Sequence, residues 1–168
     1  IPVMEDTERA DHAQIRFRLT PGGASYGFVD GTVQTVSSAH IVGPTTGAFR
    51  VHAPGPIEVV GAGITPAGWA ALVGIDASAM INRAIDLADL FGQSVVEAAI
   101  ADLQRADGLE AKAACGEAIL TALMGTQRET LTRFVQQVDA WLCGAPSPQI
   151  EVLVATTGLS RRQVERKC

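Results

Sequence analysis

Residues 148–168 read Pro148-Gln-Ile-Glu-Val-Leu-Val-Ala-Thr-Thr-Gly158-Leu-Ser160-Arg161-Arg162-Gln163-Val164-Glu165-Arg166-Lys167-Cys168. Apolar residues fall at helical spacing on both sides of Gly158, so the stretch predicts two short helices joined by a tight turn. Ser147 is placed to cap the first helix, and Pro148 to take its first position, where a missing N–H costs nothing. Gly158 ends that helix, because a left-handed turn residue without a Cβ is unstrained. Ser160 opens the second, and Gln163 completes a capping box in which each side chain satisfies a free backbone amide. Val154 is small enough to let the helices approach, and Val164 fills the core they share. This is the pattern of a helix-turn-helix. In such a motif the second helix enters the major groove of DNA, so its exposed early residues face bases and phosphates. Arg161, Arg162, Gln163 and Arg166 are therefore the candidate DNA-binding residues, arginine being able to pair bidentately with guanine or to hold phosphate. A plain helical hairpin with a basic face satisfies the same spacing.

The charge divides in the same region. Residues 1–127 hold 14 acidic and 7 basic residues, net −7, whereas residues 128–168 hold 4 acidic and 6 basic, net +2. Any phosphate contact belongs at the C-terminal end. Working back from there, residues 143–149 read as a short, stiff connection. Leu131, Phe134, Val135, Val138, Trp141 and Leu142 repeat at spacings of three and four, preceded by a Thr126/Glu129 capping box and stopped by Gly144. That stripe predicts a core-facing helix, with a dimer seam as the second reading. Ile119, Leu120 and Leu123 mark another helix ending at Gly125. Ser94 and Glu97 predict a further capping box, with Val96, Ala99, Ile100 and Leu103 on one face and Gly108 as the stop. Shorter helices are expected near 67–73, 77–82 and 87–91.

Before Pro66 the period changes to two. Ile15, Phe17 and Leu19 alternate with Arg16 and Arg18, the pattern of a half-buried strand. Residues 26–29 and 32–36 flank Asp30-Gly31, a dipeptide suited to a two-residue hairpin. Residues 48–52 and 57–61 flank a wider turn at Pro54-Gly55-Pro56. Several short strands with turns between them predict a small antiparallel barrel or sandwich.

Hydrophobic residues make up 47% and charged residues 18% of the 168, which supplies a real core and argues against disorder. No apolar run reaches the ~20 residues of a membrane-spanning helix. Residues 1–11 carry acids rather than a basic-then-apolar export signal, so a cytoplasmic location is expected. Cys115, Cys143 and Cys168 are odd in number and widely spaced, as reduced thiols are, rather than a disulfide framework or zinc site.

Gly23-Ala24-Ser25-Tyr26-Gly27 matches the G-x-S-x-G nucleophile elbow letter for letter, yet an elbow needs a helix directly after it. Here a hairpin follows, and a Gly-rich turn is the simpler reading. Gly61-Ala62-Gly63-Ile64-Thr65-Pro66 approaches a dinucleotide fingerprint but has Pro66 where the third Gly belongs, and no βαβ unit surrounds it. His12, His40 and His52 are too scattered for metal-ligand spacing and read as surface or satisfied core residues. Asp76, Asp86 and Asp89 stand at or just before short helix starts, as caps do. No catalytic residue, metal or cofactor is expected, and the chain is not read as an enzyme.

Gly158-Leu159-Ser160-Arg161-Arg162-Gln163-Val164-Glu165-Arg166 resembles the first helix-turn-helix of AraC-type transcription regulators, whose usual form is G-L-S-x-R-x-L-x-R. Arg162 and Arg166 match its two recurrent arginines. Upstream, Val42-Gly43-Pro44-Thr45-Thr46, residues 61–66, Leu72-Val73-Gly74-Ile75-Asp76 and Leu87-Ala88-Asp89-Leu90-Phe91-Gly92 are similar to the N-terminal domain of one branch of these regulators, Phe91 replacing the commoner Trp. The expected fold is then α+β: a small, half-cupin-like antiparallel β-barrel or sandwich, followed by a helical segment ending in a partial helix-turn-helix. The resemblance implies a strand-rich sensor over residues 1–92 and a helical connection and dimerisation region over 93–127. It places the start of a DNA-binding domain, with one of its two helix-turn-helix units, over 128–168. It further implies a homodimer that binds double-stranded DNA when intact and answers to an unidentified small-molecule effector. Phe17, Tyr26, Phe28, Phe49 and Trp69 are apolar enough to line an effector pocket, with ordinary core packing the alternative for each. The rival reading is a non-enzymatic small-molecule or protein binding module without DNA binding.

Overall fold

A computed structural model describes residues 3–124 and 129–167, the side chains of 129–131 excepted. Its architecture is α+β, with two four-stranded antiparallel sheets and seven α-helices among the described residues. The chain forms two compact units, Ile1–Thr65 with Ile75–Met124, and Pro66–Gly74 with Gly125–Cys168.

The first unit contains strands β1 (Val3–Glu8), β2 (Gln14–Arg18), β3 (Ala24–Gly27), β4 (Val33–Val36), β5 (Ala39–Val42), β6 (Phe49–Pro54), β7 (Val59–Gly63) and β8 (Ala84–Asp86). One sheet runs β1-β6-β3-β4 and the other β7-β2-β5-β8. The sheets remain open and do not close into a barrel, so the sandwich form of the expectation is the one the strands take. The turn at 54–56 joins strands of different sheets and carries the chain from one layer to the other. Along one side the layers are laced together. Gln34 Oε1 accepts from the Ala84 amide (2.8 Å), Asp86 Oδ1 accepts from the Ser37 amide (2.7 Å), and Arg83 donates to Thr32 Oγ1 (2.9 Å).

Strand β2 departs from the half-buried pattern. Alternation places Ile15 and Phe17 on one face and Arg16 and Arg18 on the other. Ile15, Phe17, Ala39 and Ile41 are buried on the face that helices cover. Arg16 and Arg18 turn toward the second sheet, where Arg16 reaches Tyr26 of β3. A sheet thus lies where water was expected, and both faces of β2 are interior. Between the sheets, Ala24, Tyr26, Phe28, Val36, Phe49, Val51 and Ala53 of one layer meet Val42 of the other in one apolar cluster.

The β3–β4 hairpin also differs from its expected form. The Phe28 amide donates to Thr32 O (2.8 Å) and the Gly31 amide to Phe28 O (3.0 Å), so the loop holds three residues rather than two. Three-residue loops of this kind also match the twist of the flanking strands. Asp30 accepts from the Thr32 amide (2.9 Å), and that bond holds its carboxyl below the usual range.

Helices α2 (Leu87–Phe91), α3 (Gln93–Arg105) and α4 (Gly108–Leu123), with a 3-10 turn at Ala77–Met80, complete this unit. Asp76 caps the 3-10 turn through the Ser78 amide (2.9 Å). Asp86 occupies the N-cap of α2, but its carboxylate serves Ser37 instead. The Ser94/Glu97 capping box does not form. Gly92 takes the N-cap of α3 straight out of α2, and Glu97 accepts from the Gln93 amide side chain (2.9 Å). Gly108 opens α4 rather than closing α3, which stops at Arg105.

The second unit consists of α1 (Pro66–Leu72), α5 (Glu129–Cys143), α6 (Ile150–Thr157) and α7 (Arg161–Lys167). Helix α1 packs on α5, α5 on α6, and α6 on α7. Trp69, Ala70, Leu72, Val73, Phe134, Leu153 and Val164 are its buried core among the described residues. Along the expected stripe of α5, Phe134 is buried, Val135, Val138 and Trp141 are half-buried, and Leu142 is exposed. Thr126 and the Leu131 side chain lie outside the described residues. Helix α6 starts at Ile150 with Gln149 as N-cap, two residues beyond the Ser147-Pro148 start. Trp141 Nε1 donates to the Gln149 carbonyl (2.8 Å) and fixes the residue just before the helix.

Between α6 and α7 the local reading holds. Gly158 stands at φ +66° as the left-handed cap of α6. Gln163 Oε1 accepts from the Ser160 amide (2.9 Å), and the Gln163 amide donates back to Ser160 Oγ (3.3 Å). Ser160→Ala therefore costs ~1 kcal/mol of stability, read from the urea midpoint of helix loss, and Ser160→Asp recovers most of it. An unchanged midpoint in Ser160→Ala counts against the cap.

Candidate functional site

Two regions gather functional chemistry, one in each unit. On α7, Arg161 is committed to neighbours: its Nε lies 3.1 Å from Glu165 Oε1, and its Nη1 lies 3.7 Å from Glu151 Oε1. Gln163 spends its side-chain oxygen on the cap. Arg162 and Arg166, four residues apart on one helix face, are exposed and have no acidic partner among the described residues. Lys167 Nζ stands 5.6 Å from the centroid of the Phe134 ring, a cation–π contact that ties the end of α7 to α5. The four predicted DNA-binding residues thus share one short helix but differ in what they leave available.

The second region lies between the sheets. A cavity of about 210 Å3 is lined by Arg16, Arg18, Tyr26, His40 and Glu8, with apolar residues of β1, β3, β6 and β7 completing its wall. A hydrogen-bonded chain runs through it. Arg16 Nη1 donates to Tyr26 Oη (3.1 Å), and Tyr26 Oη lies 2.7 Å from His40 Nε2. His40 Nδ1 is 2.9 Å from the Ser37 carbonyl, which can only accept, so Nδ1 carries the proton and Nε2 accepts from Tyr26. Glu8 accepts from Arg16 Nη2 at the outer end.

Burial sets the protonation states. Desolvation lowers the His40 pKa to about 4, the charge of Arg16 acting in the same sense against the opposing pull of Ser37 and Asp86. His40 is therefore neutral near pH 7. Burial raises the Tyr26 phenol, with Arg16 partly offsetting it. For Arg16, burial disfavours the charge, but the hydrogen bond to Glu8 and the pull of Tyr26 and Glu8 outweigh it and hold the guanidinium above its ordinary value.

Comparison of the chain with protein-family models, curated proteins and solved structures gives no match.

Of the five residues considered for an effector pocket, Tyr26 alone lines this cavity. Phe28 and Phe49 pack beside it, with ring centroids 6.2 and 6.0 Å from that of Tyr26. Phe17 lies on the opposite face of its sheet, and Trp69 belongs to the other unit. Arg16, Arg18, His40 and Glu8 were not among the candidates. The signal for the two arginines lay in the alternation of β2, which puts both on one face of a strand; β1 and β5, which carry Glu8 and His40, show no such pattern.

Ser25 of the elbow-like sequence sits on the outer face of its sheet, in register with His52, which is in register with Glu5. His52 Nδ1 lies 3.2 Å from Glu5 Oε1, but Ser25 Oγ pairs with Thr35 Oγ1 (2.9 Å) rather than with His52. Strand β3 is flanked by β6 and β4, whose ladders engage its backbone on both sides. His12, His40 and His52 lie apart, on a loop, inside the fold and on an outer face respectively. No described helix is long and apolar enough to cross a membrane.

Proposed function

We propose that this chain is the effector-sensing and dimerisation part, with the first DNA-reading element, of a cytoplasmic one-component transcription regulator of the AraC type. The observation that carries the reading is the pair Arg162 and Arg166: exposed, uncompensated, and presented on a helix held by a capping box and by the buried Val164. In this reading α6 and α7 are the two helices of a helix-turn-helix, and the two-sheet unit is a half-cupin-like sensor without enzymatic activity. Self-association would use α3 and α4, where Leu109 is 85% exposed.

The test is fluorescence anisotropy of the full-length protein on its own upstream DNA across a salt series. Arg162→Ala and Arg166→Ala each weaken binding roughly tenfold, and a phosphate contact also reduces the salt slope by about one. Arg161→Ala, whose charge is already balanced by Glu165 and Glu151, has a smaller effect. Absence of salt-dependent binding, or binding indifferent to both arginines, sinks the reading. A binding module without DNA recognition is the second reading, favoured by the buried polar cavity between the sheets.

A further inference from the structure

Arg18 is 4% exposed, and its four hydrogen bonds go to Thr20 Oγ1 and to the carbonyls of Gly23, Pro54 and Pro56. All four partners are neutral, and among the described residues no carboxylate pairs with it. Arg16 is paired with Glu8, and His40 is uncharged at neutral pH. The cavity wall therefore holds two guanidinium charges against one carboxylate. Arg18, which lines this cavity, is thus a buried positive charge without a carboxylate partner among the described residues, an arrangement that a bound anion would relieve.

The donors are also incompletely used. A guanidinium has five N–H groups, and Arg16 and Arg18 each make four hydrogen bonds. One N–H remains on each. The rest of the lining, chiefly Met4, Val51 and Val59, is apolar, and Met4 and Val59 are exposed at strands β1 and β7, where a ligand could enter.

We propose that this cavity binds a small monocarboxylate with an apolar body. Its two oxygens accept the remaining N–H groups of Arg16 and Arg18, and its body lies along Met4, Val51 and Val59. A dianion would overcompensate the single net charge and crowd Glu8; a neutral ligand would leave that charge unbalanced. Named as the effector, this ligand class rests on the regulator reading; as a binding site it does not.

Tyr26 is the only tyrosine in the sequence, so [13C]tyrosine labelling of the full chain gives one ring signal from the cavity wall. The probes are sodium benzoate and sodium hexanoate, each titrated against its neutral amide at constant chloride and ionic strength. At least one carboxylate moves the Tyr26 signal saturably, with an affinity about tenfold or more above that of its amide. Glu8→Gln removes the internal competitor for Arg16, tightens carboxylate binding about tenfold further and leaves the amide unchanged. A signal that ignores both carboxylates in wild type and Glu8→Gln, or responds equally to acid and amide, overturns the proposal. Anisotropy on the same preparation separates the two readings. DNA binding without a carboxylate response sinks the ligand class alone, and the converse sinks the regulator alone.

Discussion

Gly43→Ala lowers the unfolding free energy of the two-sheet unit by more than ~3 kcal/mol. A Cβ on Gly43 stands 2.0 Å from the Met80 carbonyl oxygen, 2.9 Å from its carbon and 3.0 Å from the Met80 Cβ. The obstacle is mainly backbone, so no side-chain rotation relieves it. Nor can the 77–83 segment withdraw cheaply. The Gly43 amide donates to Arg83 O (2.8 Å), and the Asn82 amide donates to Pro44 O (2.9 Å). The buried Asn82 side chain accepts from the Thr46 amide (3.0 Å) and donates to Thr46 Oγ1 (2.9 Å). Moving the segment by the ångström or more that the methyl needs breaks several of these bonds, each leaving a buried group unsatisfied at about 1–3 kcal/mol. Gly63→Ala is the control, because its new methyl meets nothing within 4 Å and should change stability by less than about 1 kcal/mol. Urea unfolding followed by circular dichroism decides it. Equal midpoints for the two variants would refute the close packing of residue 43 against Met80.

The second large effect is a loss of stability in mild acid. His40 titrates near 6.5 in the unfolded chain and at about 4 in the folded one, where burial disfavours the imidazolium. Between those values the unfolded state binds more protons, so stability rises with pH across the window. It is complete above pH 6.5, falls as the pH is lowered toward 4 and has no further His40 contribution below that. A depression of this size corresponds to roughly 3 kcal/mol. Asp30 and Asp76, whose carboxyls are held low by backbone amides of Thr32 and Ser78, lose their contributions only below their ordinary value of 3.8, outside the window. His40→Gln keeps an oxygen acceptor for Tyr26 and removes the titration, so its urea midpoint should be nearly flat from pH 6.5 to 4. Parallel curves for wild type and variant would show that His40 is not the group responsible.

What the sequence revealed follows from the range of the forces involved. Gly158 and the Ser160/Gln163 box were legible because a cap is a hydrogen bond between residues three apart. The equivalent spacing at Ser94 and Glu97 misled, because Gly92 had already turned the chain into α3. Strand β1, Val-Met-Glu-Asp-Thr-Glu, has no apolar alternation and is a strand only because β6 supplies its ladder, a tertiary term no local pattern contains. Strand β5 is buried at all four positions and so shows no period. At the cavity, the burial of Tyr26 could be anticipated from its aromatic character. The alternation in β2 correctly put Arg16 and Arg18 on one face, but it could not tell whether water or a second sheet lay beyond.

The chain passes between its two units three times, at residues 65–66, 74–75 and 124–125. A gene segment beginning after residue 124 would encode α5, α6 and α7 without α1, the helix on which α5 packs. Trp69 and Leu72 would be missing from its core, and the apolar stripe around Phe134 would lie bare to water. The C-terminal unit is therefore not a cassette that recombination can splice onto another protein at a single junction. It travels with the strands that precede and follow α1, and any chimera that keeps it folded without the first unit must carry three joints rather than one.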